Sequence, residues 1–188
     1  MNICVYCASS EKIDKKYIEA GECFGEKMAE KGHTLVFGCG IYGVMGAIGR
    51  GIKRRGGKRI GVVPEFIANI VNVDTDCDEY ISTETMRQRK QIMEEKSDAF
   101  VMLPGGIGTF EEFFEILTLK QLQQHSKPII IYNVNNYFNP LIEMLETAIR
   151  EKFMSPKCRD LFFVSDIEED IFEYLEKYNP FSYDKYDY

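Results

Sequence analysis

The stretch Ala99-Phe100-Val101-Met102-Leu103-Pro104-Gly105-Gly106-Ile107-Gly108-Thr109-Phe110-Glu111-Glu112-Phe113-Phe114-Glu115-Ile116-Leu117 changes its period once. Up to Leu103 it is an unbroken apolar run of strand length. After the glycines, Phe110, Phe113, Phe114 and Leu117 recur at helical spacing. A buried strand that passes through a glycine turn into a helix is the unit from which parallel sheets covered by helices are built.

The same unit recurs outward from this point. Apolar runs at Ile3 to Ala8, Thr34 to Gly38, Ile60 to Val63, Pro128 to Tyr132 and Leu161 to Val164 read as further strands. Helical spacing predicts helices at Lys15 to Lys31, Val44 to Arg55, Thr85 to Lys96, Thr109 to Gln124, Tyr137 to Lys152 and Ile167 to Lys177. With right-handed crossovers, the economical arrangement is an α/β, Rossmann-like doubly wound parallel sheet with helices on both faces. No repeat or linker divides it, so residues 1–178 form one domain. Residues 179–188 have turn residues and no period, and read as a surface extension.

Composition agrees with one packed domain. Of 188 residues, 45% are hydrophobic and 28% charged, which excludes a disordered or collagen-like chain. The formal net charge of -7 argues against a nucleic-acid partner. That excess is local: residues 1–100 carry 15 basic and 15 acidic side chains, and the rest carry 8 and 15. Within the neutral part Arg50, Lys53, Arg54, Arg55, Lys58 and Arg59 cluster, so the charge leaves a small anionic ligand open. No apolar run approaches the length of a membrane span and no signal segment leads the chain, so the expected location is the cytoplasm and no membrane partner is expected.

The six cysteines give no zinc pattern, and the two histidines, His33 and His125, neighbour none of them. Cys4 and Cys7 make a C-x-x-C, but within a strand rather than at a helix start, where a redox pair belongs. Buried free thiols are the better reading, and no metal site is expected.

In such a sheet, ligands bind beyond the carboxyl ends of the strands. Two of those exits are glycine-rich. At Pro104 to Thr109, glycines let the backbone approach an anion, and the N–H groups and dipole of the following helix favour negative charge. Thr109 either caps the helix or bonds a phosphate oxygen. The earlier exit, Phe37 to Gly46, contains G-x-G-x-x-G. An acid at the end of the next strand, which would hold a ribose, is missing, and Glu65 is the only acid nearby; a nicotinamide cofactor is therefore disfavoured. Close approach to a nucleotide and close packing of helix on strand both remain open for these glycines.

Two charges fall on the wrong faces. At 100° per residue, Arg89 lies between Ile92 and Met93 in the apolar sector of its helix, with Met86 on the same side, while Arg87 points elsewhere and can pair with Glu94. A core-side Arg89 needs an anionic partner. Glu111, Glu112 and Glu115 could simply complement a helix dipole. Glu112, however, shares a stripe with Ile116 and Leu119 near the glycine turn, where burial would raise its pKa or press it against Arg89.

These residues resemble the LOG family of cytokinin-activating phosphoribohydrolases, often labelled lysine decarboxylases. The family's P-G-G-x-G-T-x-x-E stands intact from Pro104 through Glu112, its M-x-x-R-K as Met86 to Lys90, and its first glycine loop is similar to Gly38 through Gly46. Cys39, Val44 and Arg87 depart from residues common in relatives, which bears on substrate preference. The loop from Glu65 to Thr83 does not align with the plant enzymes and supplies no assigned site residue.

The resemblance implies hydrolysis of an adenine-type nucleoside 5′-monophosphate to free base and ribose 5-phosphate, without cofactor, by a homodimer. Arg89 and Glu112 are the catalytic pair it carries over. The substrate- and phosphate-binding candidates are Gly105, Gly106, Gly108, Thr109, Lys90, Met86, Glu111, Thr118, Gly40, Gly43 and Ser9. Amino-acid decarboxylation would need pyridoxal phosphate on a lysine, and nothing beyond the phosphate turn suggests such a site. The alternative from another class is a non-enzymatic nucleotide or molybdenum-cofactor carrier, which needs phosphate donors but no poised carboxylate.

Overall fold

A computed structural model describes residues 1–180. Strands β1 (Asn2–Tyr6), β2 (Thr34–Phe37), β3 (Arg59–Pro64), β4 (Glu79–Thr83), β5 (Ala99–Met102), β6 (Ile129–Tyr132) and β7 (Phe163–Ser165) form one sheet. Its order is β4-β3-β2-β1-β5-β6-β7, and every pairing is parallel. Helices α1 (Lys15–Glu30), α2 (Gly43–Arg54), α3 (Glu65–Ala68), α4 (Met86–Lys96), α5 (Ile107–Gln121), α6 (Asn139–Arg150) and α7 (Glu168–Lys177) connect them. The doubly wound α/β fold expected from the alternation of periods is the fold observed. Most of the extension expected over 179–188 lies outside the described residues.

Alternation along β1 shows how two layers of helices are recruited. Ile3 and Val5 enter one core with Phe24 of α1, Ile48 of α2 and Phe172 of α7. Cys4 and Tyr6 enter the opposite core with Met93 of α4, Phe113 of α5 and Ile149 of α6. Successive strand residues face opposite sides, so both sides must be covered. The same alternation separates the C-x-x-C: Cys4 belongs to one core and Cys7 to the other, and both are free. Burial pushes the Cys4 thiol up to about 12.

Two elements escaped the sequence reading for related reasons. The strand β4 is Glu79-Tyr80-Ile81-Ser82-Thr83, largely exposed at the edge of the sheet. An edge strand carries polar side chains, so it has no apolar run to betray it. The short α3 buries none of its residues. At the other end, Leu161 closes a 3₁₀ turn, and the last strand starts at Phe163 instead.

Four of the six cations in the basic cluster are paired with acids. Arg54 pairs with Glu22 and Glu26, Arg55 with Glu26 and Glu30, Lys53 with Asp76, and buried Arg59 with Asp74. The acids come from α1 and from the segment before β4, which sequence distance conceals. No helix among the described residues is long and apolar enough to cross a membrane.

His125 gives the fold a defined pH limb. Its Nε2 lies 2.9 Å from the Ile116 carbonyl, and its Nδ1 accepts the Lys127 backbone N–H at 3.2 Å. The neutral ring with its proton on Nε2 satisfies both contacts. Burial lowers its pKa from 6.5 to about 4. The unfolded chain therefore takes a proton that the folded one refuses, and stability is full above pH 6.5 and falls as pH drops towards 4. His33, lowered by burial and the N-terminal ammonium, adds to the same limb. Denaturant titrations across this range should show a shallower slope for His125→Asn than for the parent chain.

Candidate active site

The sheet order reverses at β1, whose neighbours are β2 and β5. Chain leaving β1 turns one way and chain leaving β5 the other, which opens a crevice at their carboxyl ends. Its mouth is bound together by the backbone: Leu103 N–H donates to the Tyr6 carbonyl at 2.9 Å and Ala8 N–H to the Pro104 carbonyl at 3.1 Å. A cavity of about 500 Å³ lies there.

One side of the cavity is the turn from β5 into α5. The helix begins at Ile107, with Gly106 as its cap residue. Thr109 is therefore inside the first turn and does not cap it, which corrects one of the two roles the sequence allowed. Its hydroxyl is packed against the Cα of Gly105, where any side chain would overlap it. The Tyr137 hydroxyl donates to the Gly105 carbonyl at 2.7 Å and fixes the turn from behind. Gly106, Gly108 and Thr109 face the cavity at a helix N-terminus, where free N–H groups and the helix dipole favour an anion.

The opposite side is built by the exits of β1 and β2. Ala8, Ser9, Ser10, Gly38 and Gly40 line it. Gly43 does not; it starts α2 at φ 60°, pressed against the backbone of Ala8 and Ser10. Met45 N–H donates to the Ala8 carbonyl at 3.0 Å. In the first glycine loop Gly38 and Gly40 border the cavity, and Gly43 permits close packing.

Arg89 of α4 and Glu112 of α5 meet at the base of the cavity. Arg89 Nη1 donates to Glu112 Oε1 at 2.6 Å, and Arg89 Nε donates to the Val62 carbonyl at 3.2 Å. Their residues are 8% and 7% exposed, so the pair is largely removed from water yet open to the cavity. A side chain at Gly38 would collide with Arg89 Nη2, so that glycine makes room for the guanidinium. Burial raises the Glu112 pKa, and the Arg89 charge and hydrogen bond oppose the rise. Burial and ion pairing, alternatives in the sequence, act together.

The remaining candidates are dispersed. Met86, Glu111 and Ser9 line the cavity. Lys90 instead pairs with Glu111 and with Glu115 at 2.7 Å; burial works against its charge, but the two carboxylates hold its pKa above the ordinary range. Thr118 is exposed further along α5, its hydroxyl donating to the Phe114 carbonyl at 2.7 Å. Arg87 is exposed and forms no ion pair with Glu94 among the described residues. Glu65 opens onto another depression with Ser82 and Glu84.

The sequence reading missed an apolar wall. Val63 and Pro64 end β3, Ile67 lies in α3 and Val71 just beyond it, and with Met45 and Met86 they line the cavity. Ile67 and Val71 stand in the loop from Glu65 to Thr83, from which no site residue was assigned. Their i, i+4 spacing was the available signal, but a single pair does not declare what it covers.

A reversal of strand order carrying a glycine turn and a buried Arg and Glu pair defines a Rossmann-like protein with its cavity at the carboxyl ends of the strands. Residues 45–175 match the family model described as possible lysine decarboxylase. The chain is 36% identical over 178 residues to the probable cytokinin riboside 5′-monophosphate phosphoribohydrolase LOGL5 of Oryza sativa subsp. japonica, covering 95% of this chain and 72% of the relative. It is 34% identical to the cytokinin riboside 5′-monophosphate phosphoribohydrolase LOG3 of Arabidopsis thaliana, covering 95% and 83%. The chain belongs to this family, the LOG family. Among solved structures, the molybdenum cofactor carrier protein of Chlamydomonas reinhardtii superposes with a TM-score of 0.72 at 21% identity, over 94% of this chain and 96% of that one. That likeness concerns the fold.

Proposed function

We propose that the protein hydrolyses the N-glycosidic bond of an adenine-type nucleoside 5′-monophosphate, releasing the free base and ribose 5-phosphate. The observation that carries this reading is the buried Arg89 and Glu112 pair opening into a cavity bordered by the phosphate-type turn. Breaking the bond builds positive charge on the sugar and negative charge on the departing base. Glu112 stabilises the sugar cation or orients the attacking water, and Arg89 offsets charge on the phosphate or the base. Gly106, Gly108 and Thr109 hold the phosphate, so that binding energy remote from the bond positions the anomeric carbon. Water supplies hydroxyl to the sugar and a proton to the base, which balances the reaction.

The wall of Met45, Val63, Pro64, Ile67, Val71 and Met86 supports a base bearing an apolar substituent on its exocyclic amine. Purified protein incubated with AMP and with prenylated AMP should release both bases by chromatography, with kcat/KM about tenfold or more higher for the prenylated form. Nucleotide binding without base release from either would favour the carrier reading. The acid limb of the kcat/KM profile should lie above the ordinary carboxylate range, because the ionised Glu112 is needed and burial raises its pKa.

Decarboxylation, named in the family description, does not fit these residues. Among the described residues no lysine lines the cavity, and Lys90 is tied to Glu111 and Glu115. Pyridoxal phosphate would have no lysine there to hold it. The proposed assembly is a homodimer, in keeping with the family resemblance; Ile107, 87% exposed between two cavity glycines, supports an apolar contact at this rim. Light scattering should give twice the monomer mass.

A further inference from the structure

Two thiols that the proposed chemistry leaves idle meet behind the glycine wall of the cavity. Cys39 stands between Gly38 and Gly40 with φ 60°, and its side chain is wholly buried. Cys77, half-buried, belongs to the segment that leads from α3 into β4. The two sulfurs lie side by side, close enough for each thiol to perturb the other. Both rest against the Cα of Gly61 on β3, where a side chain would overlap Cys39 Sγ and come within 3.1 Å of Cys77 Sγ.

Backbone contacts hold the two thiols in register. Asp74 N–H donates to the Cys39 carbonyl at 2.7 Å, and Gly40 bridges to Val73 in antiparallel fashion. Cys77 Sγ donates to the Asp74 carbonyl at 3.3 Å. Buried Arg59 grips the segment through the Asp74 carboxylate and the Asp76 carbonyl, while its backbone N–H donates to Asp78 Oδ2 at 2.9 Å. Cys4 and Cys7, by contrast, face opposite cores, and Cys23 is exposed on α1.

We propose that Cys39 and Cys77 are a redox-active dithiol that a hydroperoxide converts to a disulfide, stapling the segment before β4 to the glycine loop of the cavity. Cys77 is the half-exposed member and the first to react. The adjacent Cys39 thiol draws its pKa below the ordinary thiol range, against burial and the charges of Asp74 and Asp78. Its thiolate attacks a peroxide oxygen, the O–O bond breaks, and the leaving alkoxide takes a proton to become an alcohol. The Cys39 sulfur then attacks the Cys77 sulfenic acid, and hydroxide leaves with the Cys39 proton as water. Two thiols lose two hydrogens, and the hydroperoxide is reduced to alcohol and water. The bond would anchor the segment that carries Val71 and follows Ile67 of α3, and so fix the apolar wall relative to Gly38 and Gly40.

The test uses the full chain and hydrogen peroxide, and does not depend on nucleotide hydrolysis. After oxidation, alkylation of remaining thiols and non-reducing digestion, mass spectrometry should find the peptides of Cys39 and Cys77 joined, lighter by two hydrogens and separated by dithiothreitol. The oxidised protein should unfold at a higher denaturant midpoint than the reduced one, and dithiothreitol should reverse the gain. Cys77→Ser, a change at a half-exposed position, should abolish both effects. Oxidation of Cys23 while Cys39 and Cys77 stay alkylatable would overturn the proposal, as would a midpoint gain that survives in Cys77→Ser.

Discussion

Replacing Glu112 by Gln should lower turnover of the nucleoside monophosphate by about 10³-fold, within the range expected for a carboxylate that acts on the transition state, and leave nucleotide affinity measurable. Gln keeps the size of the side chain and an oxygen that can accept from Arg89 Nη1, now at 2.6 Å from the carboxylate. What it loses is the negative charge that the proposed mechanism sets against the sugar. Because substrate and glycine turn still meet in the variant, single-turnover base release should fall while calorimetric binding persists. Near-normal rates in Glu112→Gln would exclude this role and transfer attention to Glu111, which also lines the cavity.

Replacing Arg89 by Met should damage binding, turnover and stability together. The side chain removed bridges three elements, since Arg89 on α4 reaches Glu112 on α5 and the Val62 carbonyl on β3. Its loss leaves a buried carboxylate without a counter-charge, which costs about 3 kcal/mol for pairs of this kind. Glu112 then loses what opposes its raised pKa, so its protonation is favoured further. A carboxyl with a raised folded pKa stabilises the fold when protonated, and the deficit of Arg89→Met should therefore shrink as pH falls. Adding Glu112→Gln to Arg89→Met should recover part of the stability and none of the activity. A double variant less stable than Arg89→Met would show that the carboxylate is not the orphaned group.

How much of this site could be read in advance depends on which residues signal by pattern. The turn from Pro104 to Thr109 was legible because a strand run, three glycines and a helical period are contiguous. Arg89 and Glu112 were legible as charges on apolar faces, an inconsistency that only a partner resolves. The role of Thr109 was not: whether it caps α5 or sits inside the first turn depends on a start shifted by two residues, which packing and Tyr137 decide. Lys90 and Thr118 sit close to the site in sequence but turn to other partners, because neighbouring positions on a helix point in different directions.

The fold followed from the chain alone, since fully buried parallel strands must be apolar throughout and the helices that cover them must be amphipathic. So did the placing of the second glycine turn, because glycines that follow a buried strand and precede a helix put that turn at the carboxyl end of the sheet, where the cavity lies. Tertiary structure alone decided what lies opposite. The β4 edge, the wall of Ile67 and Val71, the neutralisation of Arg54, Arg55 and Arg59, and the meeting of Cys39 with Cys77 all join segments distant in sequence. Local pattern records which face of an element avoids water, but the identity of the side chains it meets is set by the order in which the strands assemble.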